Sequence, residues 1–244
     1  QRAGPGLGSI WPEQSDYHML VKGGGHGNYK NIVLAPNSAQ ELCDMAYQSF
    51  ELAEKYRMTV MLMADAYIGQ MMEPVAFPTE VRHAPHHDWA VYATEDSRDN
   101  FITSLYLDKK ILSAHNHKLQ DKYAQLTEIA EAEEIGTEDA EILVVAYGIT
   151  SRIAQTVVMD LRSEGVPIGL FRPKTLFPFP EARLAELSAR CRVVSVPELS
   201  AGMMAEDVER IVRGAADVQR LNWLGGEVPS SSEIRNGLEE VLHV

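Results

Sequence analysis

The sequence predicts an α/β protein built from two successive parallel-sheet domains. Between residues 31 and 64 two continuous apolar runs flank one amphipathic helix, and between residues 141 and 213 a strand-then-helix order repeats three times. Apolar runs without polar alternation are typical of strands covered on both faces, and two such strands joined through a helix form a right-handed βαβ unit. A chain of 244 residues, 45% of them apolar, is long enough for one large or two ordinary domains.

The first predicted domain covers residues 1–104. A short strand is expected over 31–35 and a second over 60–64, both rich in aliphatic residues. Between them, Ser38 with Glu41 three residues later is a capping-box signature that predicts the start of a helix. Residues at helical spacing supply the apolar face of this helix: Leu42, Met45, Ala46, Ser49, Ala53 and Tyr56.

The segment after the second strand is where this domain is expected to meet ligands or partners. Residues 66–73 lie just past the carboxyl end of that strand, the edge at which open α/β sheets bind ligands. Residues 74–103 show no regular periodicity and predict a long crossing segment. Its histidines His83, His86 and His87 lack the helical or hairpin spacing of a metal site, which favours surface residues over ligands.

A helical linker is predicted over 105–140, with a helix over 105–134 that ends in an acidic surface turn. The second domain is predicted over 141–244. Its parallel strands are expected over 141–148, 166–171 and 191–196. Its helices are expected from the end of the first strand to about 165, over 181–189 and over 205–213. An edge strand over 221–224 and a closing helix over 234–242 complete the domain.

Charge and composition exclude several classes of partner. The formal charge of −13 and the pI near 5.0 repel nucleic-acid backbones and anionic membranes, and no cluster of lysine and arginine reverses the sign locally. Cys43 and Cys191 lie far apart without a Cys-x-x-Cys motif, which indicates reduced thiols and no iron–sulfur ligand set in this chain. No apolar stretch reaches the roughly 18 residues of a membrane span. A soluble cytoplasmic protein is expected.

The first thirty residues contain the most distinctive local sequence, Arg2 to Gly8 followed by Lys22 to Tyr29, both rich in glycine. Glycine allows the backbone to approach a ligand closely, and the planar guanidinium of Arg2 suits a carboxylate or a phosphate. The first loop is therefore a candidate site for a small anion. The alternative, a glycine-rich terminus with a solvated arginine, stays open on composition alone.

Other chemistry-bearing residues are less specific. Gly148 with Thr150 and Ser151 at a strand-to-helix turn suits a phosphate, but the turn lacks the Gly-x-Gly-x-x-Gly and P-loop signatures, so a structural turn is the stronger hypothesis. Spacing fixes no catalytic dyad among the general acid–base candidates Glu13, His18, His26 and Glu198. No catalytic residue is assigned, and the residues by themselves do not predict a self-sufficient catalyst.

In order and spacing, a series of motifs resembles the α subunit of 2-oxoacid:ferredoxin oxidoreductases, in particular the branched-chain (2-oxoisovalerate) type. The likeness spans nearly the whole chain. The motifs that carry it are residues 1–8, 22–29, 33–38, 69–74, 141–164, 172–173, 177–180, 196–199 and 201–204.

The resemblance implies a fold and an assembly. It implies part of a pyrimidine-type thiamine-diphosphate-binding domain over 1–104, followed by a transketolase C-terminal-like domain over 141–244. Thiamine diphosphate and Mg²⁺ would be shared with a β subunit, and iron–sulfur clusters would reside in partner subunits. The family's Tyr-Pro-Ile-Thr-Pro motif and cofactor-activating glutamate are not found, so the first third of a family chain is expected to be missing and this fragment alone to be inactive.

The resemblance also implies a reaction: oxidative decarboxylation of a 2-oxoacid, specifically 3-methyl-2-oxobutanoate, to an acyl-CoA, with electrons passed to ferredoxin. Coenzyme A, ferredoxin and the other subunits are the expected partners, in a homo-oligomer of heteromers. Two alternatives stay open. One is the β subunit of a lipoamide-linked 2-oxoacid dehydrogenase, and the other is a non-catalytic two-domain α/β scaffold.

Arg2 matches the family arginine that binds the substrate carboxylate, and Gly4, Pro5, Gly6 and Leu7 form the loop around it. Members acting on 2-oxoglutarate resemble Arg-Gly-Gly-Pro-Ser-Thr-Gly here, with hydroxyls near the substrate tail. An isobutyl side chain in place of a hydroxyl penalises a distal carboxylate and favours an apolar tail. A branched-chain substrate is therefore expected, with residues 177–180 and 198–204 as candidate subunit interfaces.

Overall fold

The fold was analysed in a computed structural model that describes residues 1–6, 10–79, 83 and 85–242. The strands are β1 (Ile32–Leu34), β2 (Val60–Leu62), β3 (Ala132–Ile135), β4 (Ile142–Val145), β5 (Ile168–Pro173), β6 (Thr175–Phe177), β7 (Val193–Glu198) and β8 (Asp217–Asn222). The helices are α1 (Tyr17–Val21), α2 (Ala39–Tyr56), α3 (Ala66–Gln70), α4 (Lys109–Gln125), α5 (Gly148–Ser163), α6 (Glu181–Ser188), α7 (Met203–Val212) and α8 (Ser231–Leu242).

The predicted βαβ unit is confirmed by the first sheet, whose strand order is β2-β1-β6. β1 and β2 run parallel, with Ile32 opposite Val60, and α2 crosses between them. The helix begins where the capping residues predicted, because the side chain of Ser38 accepts a hydrogen bond from the Glu41 backbone amide at 3.1 Å. The Glu41 carboxylate accepts instead from the amide of Asn37, one residue before the cap.

The second sheet has the order β3-β5-β4-β7-β8, with α5 to α8 supplying its helices. β5, β4, β7 and β8 are parallel, and β3 is an antiparallel edge. All four residues of β4 and all six residues of β5 and of β7 are buried, as the continuous apolar runs predicted. The predicted edge strand exists as β8, although it lies four residues earlier at its start, at Asp217 rather than 221.

One apolar core joins the two sheets. It contains Val33, Met63 and Leu176 of the first sheet and its surroundings together with Phe171 and Val194 of the second. The short strand β6 was not predicted. It follows β5 directly in the chain but pairs antiparallel with β1, so it belongs to the first sheet. The two sheets are therefore tied together by the backbone as well as by apolar packing.

The prediction of a helix over 105–134 is wrong at both ends. α4 covers Lys109–Gln125, a short 3₁₀ helix follows over Leu126–Ile129, and the expected acidic turn contains strand β3. β3 forms because it pairs with β5, where Glu133 lies opposite Arg172. This pairing joins residues about forty positions apart, which local periodicity does not register. The proposed domain boundaries remain a prediction.

The segment between α3 and α4 leaves many large apolar side chains uncovered. In its described part the regular element is a short 3₁₀ helix, Asp96–Asn100. No residue of α4 itself is buried, although Tyr123 near its end packs against the core cluster that contains Ile32 and Leu126. The exposed apolar residues of this region are Met72, Phe77, Val91, Tyr92, Phe101, Ile102, Leu105, Leu107, Ile111 and Leu112. Among the described residues, no helix has the length and apolar character needed to cross a bilayer.

Candidate functional site

The segment carrying Arg2 folds back on itself as a short hairpin. Arg2 forms an antiparallel bridge with Pro12, and the Ala3 amide donates to the Trp11 carbonyl at 2.6 Å. This pairing fixes the backbone on both sides of the glycine loop, so the terminus is not frayed as the alternative hypothesis proposed.

The predicted substrate-binding loop lies at the end of this hairpin. Gly4, Pro5 and Gly6 are exposed there, and Arg2 is exposed beside them. Leu7, on which the expected preference for an apolar tail was based, lies outside the described residues. The structure therefore places the loop at an open surface of the chain.

Two cavities with shared lining residues lie at the hairpin, and one of them borders Arg2. One, of about 380 Å³, is lined by Arg2, Ile10, Ala66, Gly69 and Gln70. The other, of about 360 Å³, is lined by Ile10, Trp11, Pro12, Tyr67, Gln70 and Met71. They share Ile10 and Gln70, and together we call them the Arg2 cleft. Its walls combine one guanidinium with several large apolar side chains, a combination that suits a small acid with an apolar tail.

The Arg2 cleft lies at the carboxyl end of β2, where the sequence predicted that ligands bind. Its second wall is α3, which begins directly after Asp65 at the carboxyl end of β2. Asp65 caps this helix by accepting the Ile68 amide at 3.0 Å. The short helix therefore holds Tyr67 and Gln70 across from the hairpin, and residues 66–73 do take part in the candidate site.

The second domain supports the hairpin through Gln14. The Gln14 amide donates to the Leu199 carbonyl at 2.7 Å, and the Leu199 amide returns a bond to Gln14 Oε1 at 2.8 Å. Gln14 Nε2 also donates to the Tyr147 carbonyl at 2.9 Å. Gln14 is fully buried, so these bonds are shielded from water and dock the hairpin onto the ends of β4 and β7.

The turn at Gly148 is structural rather than a phosphate site. Asp65 Oδ2 accepts from the Ile149 amide at 2.9 Å, so a carboxylate of the chain already occupies the start of α5. Gly148 has φ +57°, and a Cβ there would lie 2.6 Å from the same oxygen. Burial raises the pKa of Asp65 despite its hydrogen bonds from backbone amides. Of the two hypotheses for this turn, the structure supports the structural one.

The general acid–base candidates have separate structural partners. His18 Nε2 lies 3.2 Å from Glu206, and His26 is exposed in the second glycine loop. Glu198 is fully buried and accepts from the amides of Met204 and Ala205 at 3.0 Å, where it caps α7. Burial raises the pKa of the Glu198 carboxyl even though these donors lower it. Residues 198–204 thus contribute mainly to the interior of this chain.

The described residues do not form a cradle for a diphosphate with its metal ion. No group of three His, Cys, Asp or Glu side chains in that part of the chain is arranged to hold a metal. Of the expected surface histidines, His86 stacks on Tyr92 and His87 lies 3.1 Å from Glu54. The start of α5 is also filled, because Asp65 Oδ2 accepts from the Ile149 amide there.

Sequence reasoning did not single out Ile10 and Trp11 as residues of the cleft. Both lie on the far side of the glycine loop from Arg2, and only the hairpin brings them beside it. A weak signal existed, because they are two adjacent large apolar residues directly after the glycine-rich loop. Tyr67, in contrast, lies within residues 66–73, the segment expected at the ligand edge because it follows the carboxyl end of a predicted strand.

Two family profiles together cover nearly the whole chain. Residues 1–140 match the thiamine-diphosphate-binding domain of pyruvate flavodoxin/ferredoxin oxidoreductases, and residues 140–234 match core domain II of pyruvate:ferredoxin oxidoreductase. The fold and these matches define a subunit of a thiamine-diphosphate-dependent oxidoreductase that acts on 2-oxoacids. The chain belongs to the 2-oxoacid:ferredoxin oxidoreductase family.

Curated relatives indicate which substrate type within the family this chain resembles. The chain is 50% identical over 246 residues to ketoisovalerate oxidoreductase subunit VorB of Methanothermobacter thermautotrophicus, covering 100% of this chain and 68% of the relative. It is 33% identical to 2-oxoglutarate synthase subunit KorA of the same organism, covering 97% of this chain and 70% of the relative. The branched-chain type expected from the sequence is confirmed by the first of these relationships.

Solved structures support the fold alone. A 2-oxoglutarate:ferredoxin oxidoreductase from Magnetococcus marinus, with 2-oxoglutarate, coenzyme A and succinyl-CoA bound, matches with a TM-score of 0.78 at 22% identity. The match covers 98% of this chain and 47% of that one. A split-gene transketolase, an inactive β4 tetramer, matches with a TM-score of 0.54 at 12% identity, covering 95% of this chain and 62% of that one. The predicted fold class is confirmed.

Proposed function

We propose that this chain is the substrate-carboxylate-binding subunit of an oxidoreductase that converts a branched-chain 2-oxoacid, 3-methyl-2-oxobutanoate, to its acyl-CoA. The observation that carries the proposal is Arg2 at the edge of a cleft walled by Ile10, Trp11 and Tyr67. A guanidinium fork pairs with a carboxylate, and the neighbouring apolar walls receive an isopropyl tail.

Arg2 has a defined task in this proposal. It neutralises the carboxylate of the bound acid, which positions the adjacent keto group for attack, and the neighbouring apolar side chains exclude water once the site is closed. Thiamine diphosphate, when bound, would supply the nucleophilic chemistry needed at the keto carbon. The described residues do not hold its diphosphate, so we assign that part of the cofactor, with Mg²⁺, to a β subunit.

The exposed apolar residues between α3 and α4 support a multisubunit assembly. Exposed large apolar side chains concentrated in one segment are typical of a contact with another protein. We assign this surface to partner subunits, which would also carry the iron–sulfur clusters that pass electrons to ferredoxin.

Cys43 and Cys191 are free thiols, which fits the reducing cytoplasm.

The proposal is tested in the assembled enzyme by steady-state kinetics with 3-methyl-2-oxobutanoate, coenzyme A and oxidised ferredoxin. Arg2→Gln removes the charge and should lower kcat/KM by about 100-fold, and Arg2→Lys should recover only part of it because the forked geometry is lost. Arg213→Gln, at an exposed position on the second domain, is the matched control. Unchanged kinetics in Arg2→Gln would remove Arg2 from the site.

A preference for 2-oxoglutarate over the branched acid would instead disprove the assigned substrate. The lipoamide alternative predicts turnover with a lipoyl acceptor in place of ferredoxin, so replacing the acceptor discriminates the two. A non-catalytic scaffold would leave the 2-oxoacid unconsumed with either acceptor.

A further inference from the structure

Glu13 connects the loop of Arg2 to the second domain. Its side chain is buried, with 4% of the residue exposed. Oε2 accepts from the Gly4 amide and from Ser15 Oγ, both at 2.8 Å, and Oε1 accepts from the Gly225 amide at 3.0 Å. Gly4 is two residues after Arg2, whereas Gly225 lies in the connection between β8 and α8. One carboxyl group thus bridges backbone segments more than two hundred residues apart.

The same connection of the second domain also contacts Trp11. Gly226 has φ +94°, and a Cβ at that position would lie 2.2 Å from Cβ of Trp11. The absence of a side chain at Gly226 therefore lets the Trp11 backbone approach. The connection is itself anchored, because the Trp223 amide donates to the Glu198 carbonyl at 3.1 Å, at the end of β7.

These contacts fall on both strands of the hairpin that presents Arg2. Gly4 belongs to the strand after Arg2, and Trp11 belongs to the returning strand. A hairpin this short has too few backbone bonds to hold an exposed loop in one geometry. A buried carboxyl that accepts amide donors from both segments supplies a further constraint, because its hydrogen bonds to Gly4, Ser15 and Gly225 would be lost if the segments separated.

We propose that Glu13 is a positioning residue for the substrate: it holds the Arg2 loop in place against residues 223–226, so that the second domain sets the geometry of the carboxylate site. Glu13 acts through Arg2 and does not touch the reacting atoms. The inference rests on the proposed function, since it takes Arg2 to bind the 2-oxoacid. It assigns to the second domain a role in substrate affinity as well as in the assembly.

Glu13→Gln tests this in the assembled enzyme. Glutamine has nearly the same volume but one acceptor oxygen, and its NH₂ group would face an amide donor on one side of the bridge. A variant that weakens binding of the substrate and of the transition state by the same amount raises KM and leaves kcat unchanged. We expect KM for 3-methyl-2-oxobutanoate to rise about 10-fold while kcat stays within about 2-fold, and KM for coenzyme A to stay constant.

Two further variants keep the test decisive. Gly226→Ala acts on the same hairpin from the second domain and should raise the same KM. Glu164→Gln removes an exposed carboxylate that pairs with Arg235 at 2.6 Å, and should leave all constants unchanged. If Glu13→Gln does not assemble, Gly226→Ala gives the result by itself.

An unchanged KM, or a fall in kcat at constant KM, in an assembly that contains the variant would overturn the inference. A wild-type assembly that consumes no 2-oxoacid would overturn the proposed function instead. The two failures are therefore distinguishable.

Discussion

Arg172 and Glu41 form a two-pronged ion pair between β5 and α2, although they lie 131 residues apart in the chain. Nη1 donates to Oε2 at 2.9 Å, and Nη2 donates to Oε1 at 2.6 Å. Arg172 Nε donates to Glu133 on β3, also at 2.6 Å. The side chain of Arg172 is 3% exposed. One arginine therefore joins the helix of the first sheet to two strands of the second.

Replacement of Arg172 should destabilise the fold strongly. Arg172→Met leaves Glu41 and Glu133 without their cation, and breaking a buried ion pair in this way costs about 3–5 kcal/mol. Arg235→Met is the control, because Arg235 is 34% exposed where Arg172 is 3% exposed, and solvent-accessible pairs contribute about 0–1 kcal/mol. Urea unfolding followed by circular dichroism measures both. Equal losses in the two variants would contradict the prediction.

The ion pair between Arg172 and Glu41 predicts that the protein loses stability in acid. Burial raises the pKa of the Glu41 carboxyl, but the hydrogen bonds and charge of Arg172 outweigh this, so the pKa lies below its ordinary value of 4.5. A carboxyl whose pKa is lowered by folding stabilises the protein above the pKa of the unfolded chain, and this contribution is lost as the pH falls through the folded pKa. Urea midpoints between pH 7 and pH 3 should fall more steeply in wild type than in Glu41→Gln. Parallel curves would show that Glu41 does not titrate as described.

The substitution Gly148→Ala should lower the free energy of unfolding more than Gly165→Ala. Both glycines have positive φ, +57° and +92°, so both substitutions carry a backbone penalty of about 1–2 kcal/mol. At Gly148 the new Cβ would also meet Asp65 Oδ2 at 2.6 Å, whereas nothing lies within 4 Å at Gly165. We expect the difference in unfolding free energy between the two variants to be at least about 1 kcal/mol. Equal effects would mean that Asp65 moves aside without cost.

Trp11→Ala should weaken the preference for a branched 2-oxoacid over pyruvate. Trp11 forms one wall of the Arg2 cleft, and losing apolar contact with the substrate tail costs about 1–3 kcal/mol of discrimination, or about 10–200-fold in the ratio of kcat/KM values. Phe50→Ala, at an exposed aromatic residue on α2, should leave the ratio unchanged. A constant ratio in Trp11→Ala would place the substrate tail elsewhere.

The exposed apolar residues before and within α4 should be needed for assembly and dispensable for folding of this chain. The triple variant Leu105→Ser, Leu107→Ser, Ile111→Ser changes side chains that are 70%, 89% and 58% exposed. We expect its co-purification with the partner subunits to fall at least about 10-fold while its melting temperature changes little. Met159→Ser, at an exposed site on α5, is the control. Full recovery of the complex would show that partners bind another surface.

Local sequence was sufficient where neighbouring residues decide the structure. The apolar runs predicted β1, β2, β4, β5 and β7, and Ser38 predicted the start of α2, because burial pattern and helix capping act within a few residues. Arg2 was identified from its motif, and the structure places it beside an apolar cleft. Its role in binding a substrate remains a proposal.

Local sequence failed where distant segments pair. The acidic stretch around Glu133 suits a surface turn by composition, yet it forms β3 because β5 offers an edge and Arg172 neutralises the charge. β6 belongs to the first sheet because it pairs with the edge of β1 that β2 does not occupy. Helix α4 lies largely at the surface: Ile111 and Leu112 are 58% and 41% exposed, and it is Tyr123 near the end of the helix that packs against a core.

By itself the sequence determined the βαβ unit of the first sheet, the parallel strands β4, β5 and β7 of the second, the family and the presence of a cationic loop, since these depend on periodicity and on motifs that are continuous in the chain. Tertiary structure alone decided that Asp65 fills the turn at Gly148 and that Glu13 bridges Gly4 to Gly225. The physical reason is that a buried hydrogen bond between distant segments depends on how they pack, and packing places together residues whose separation along the chain carries no signal.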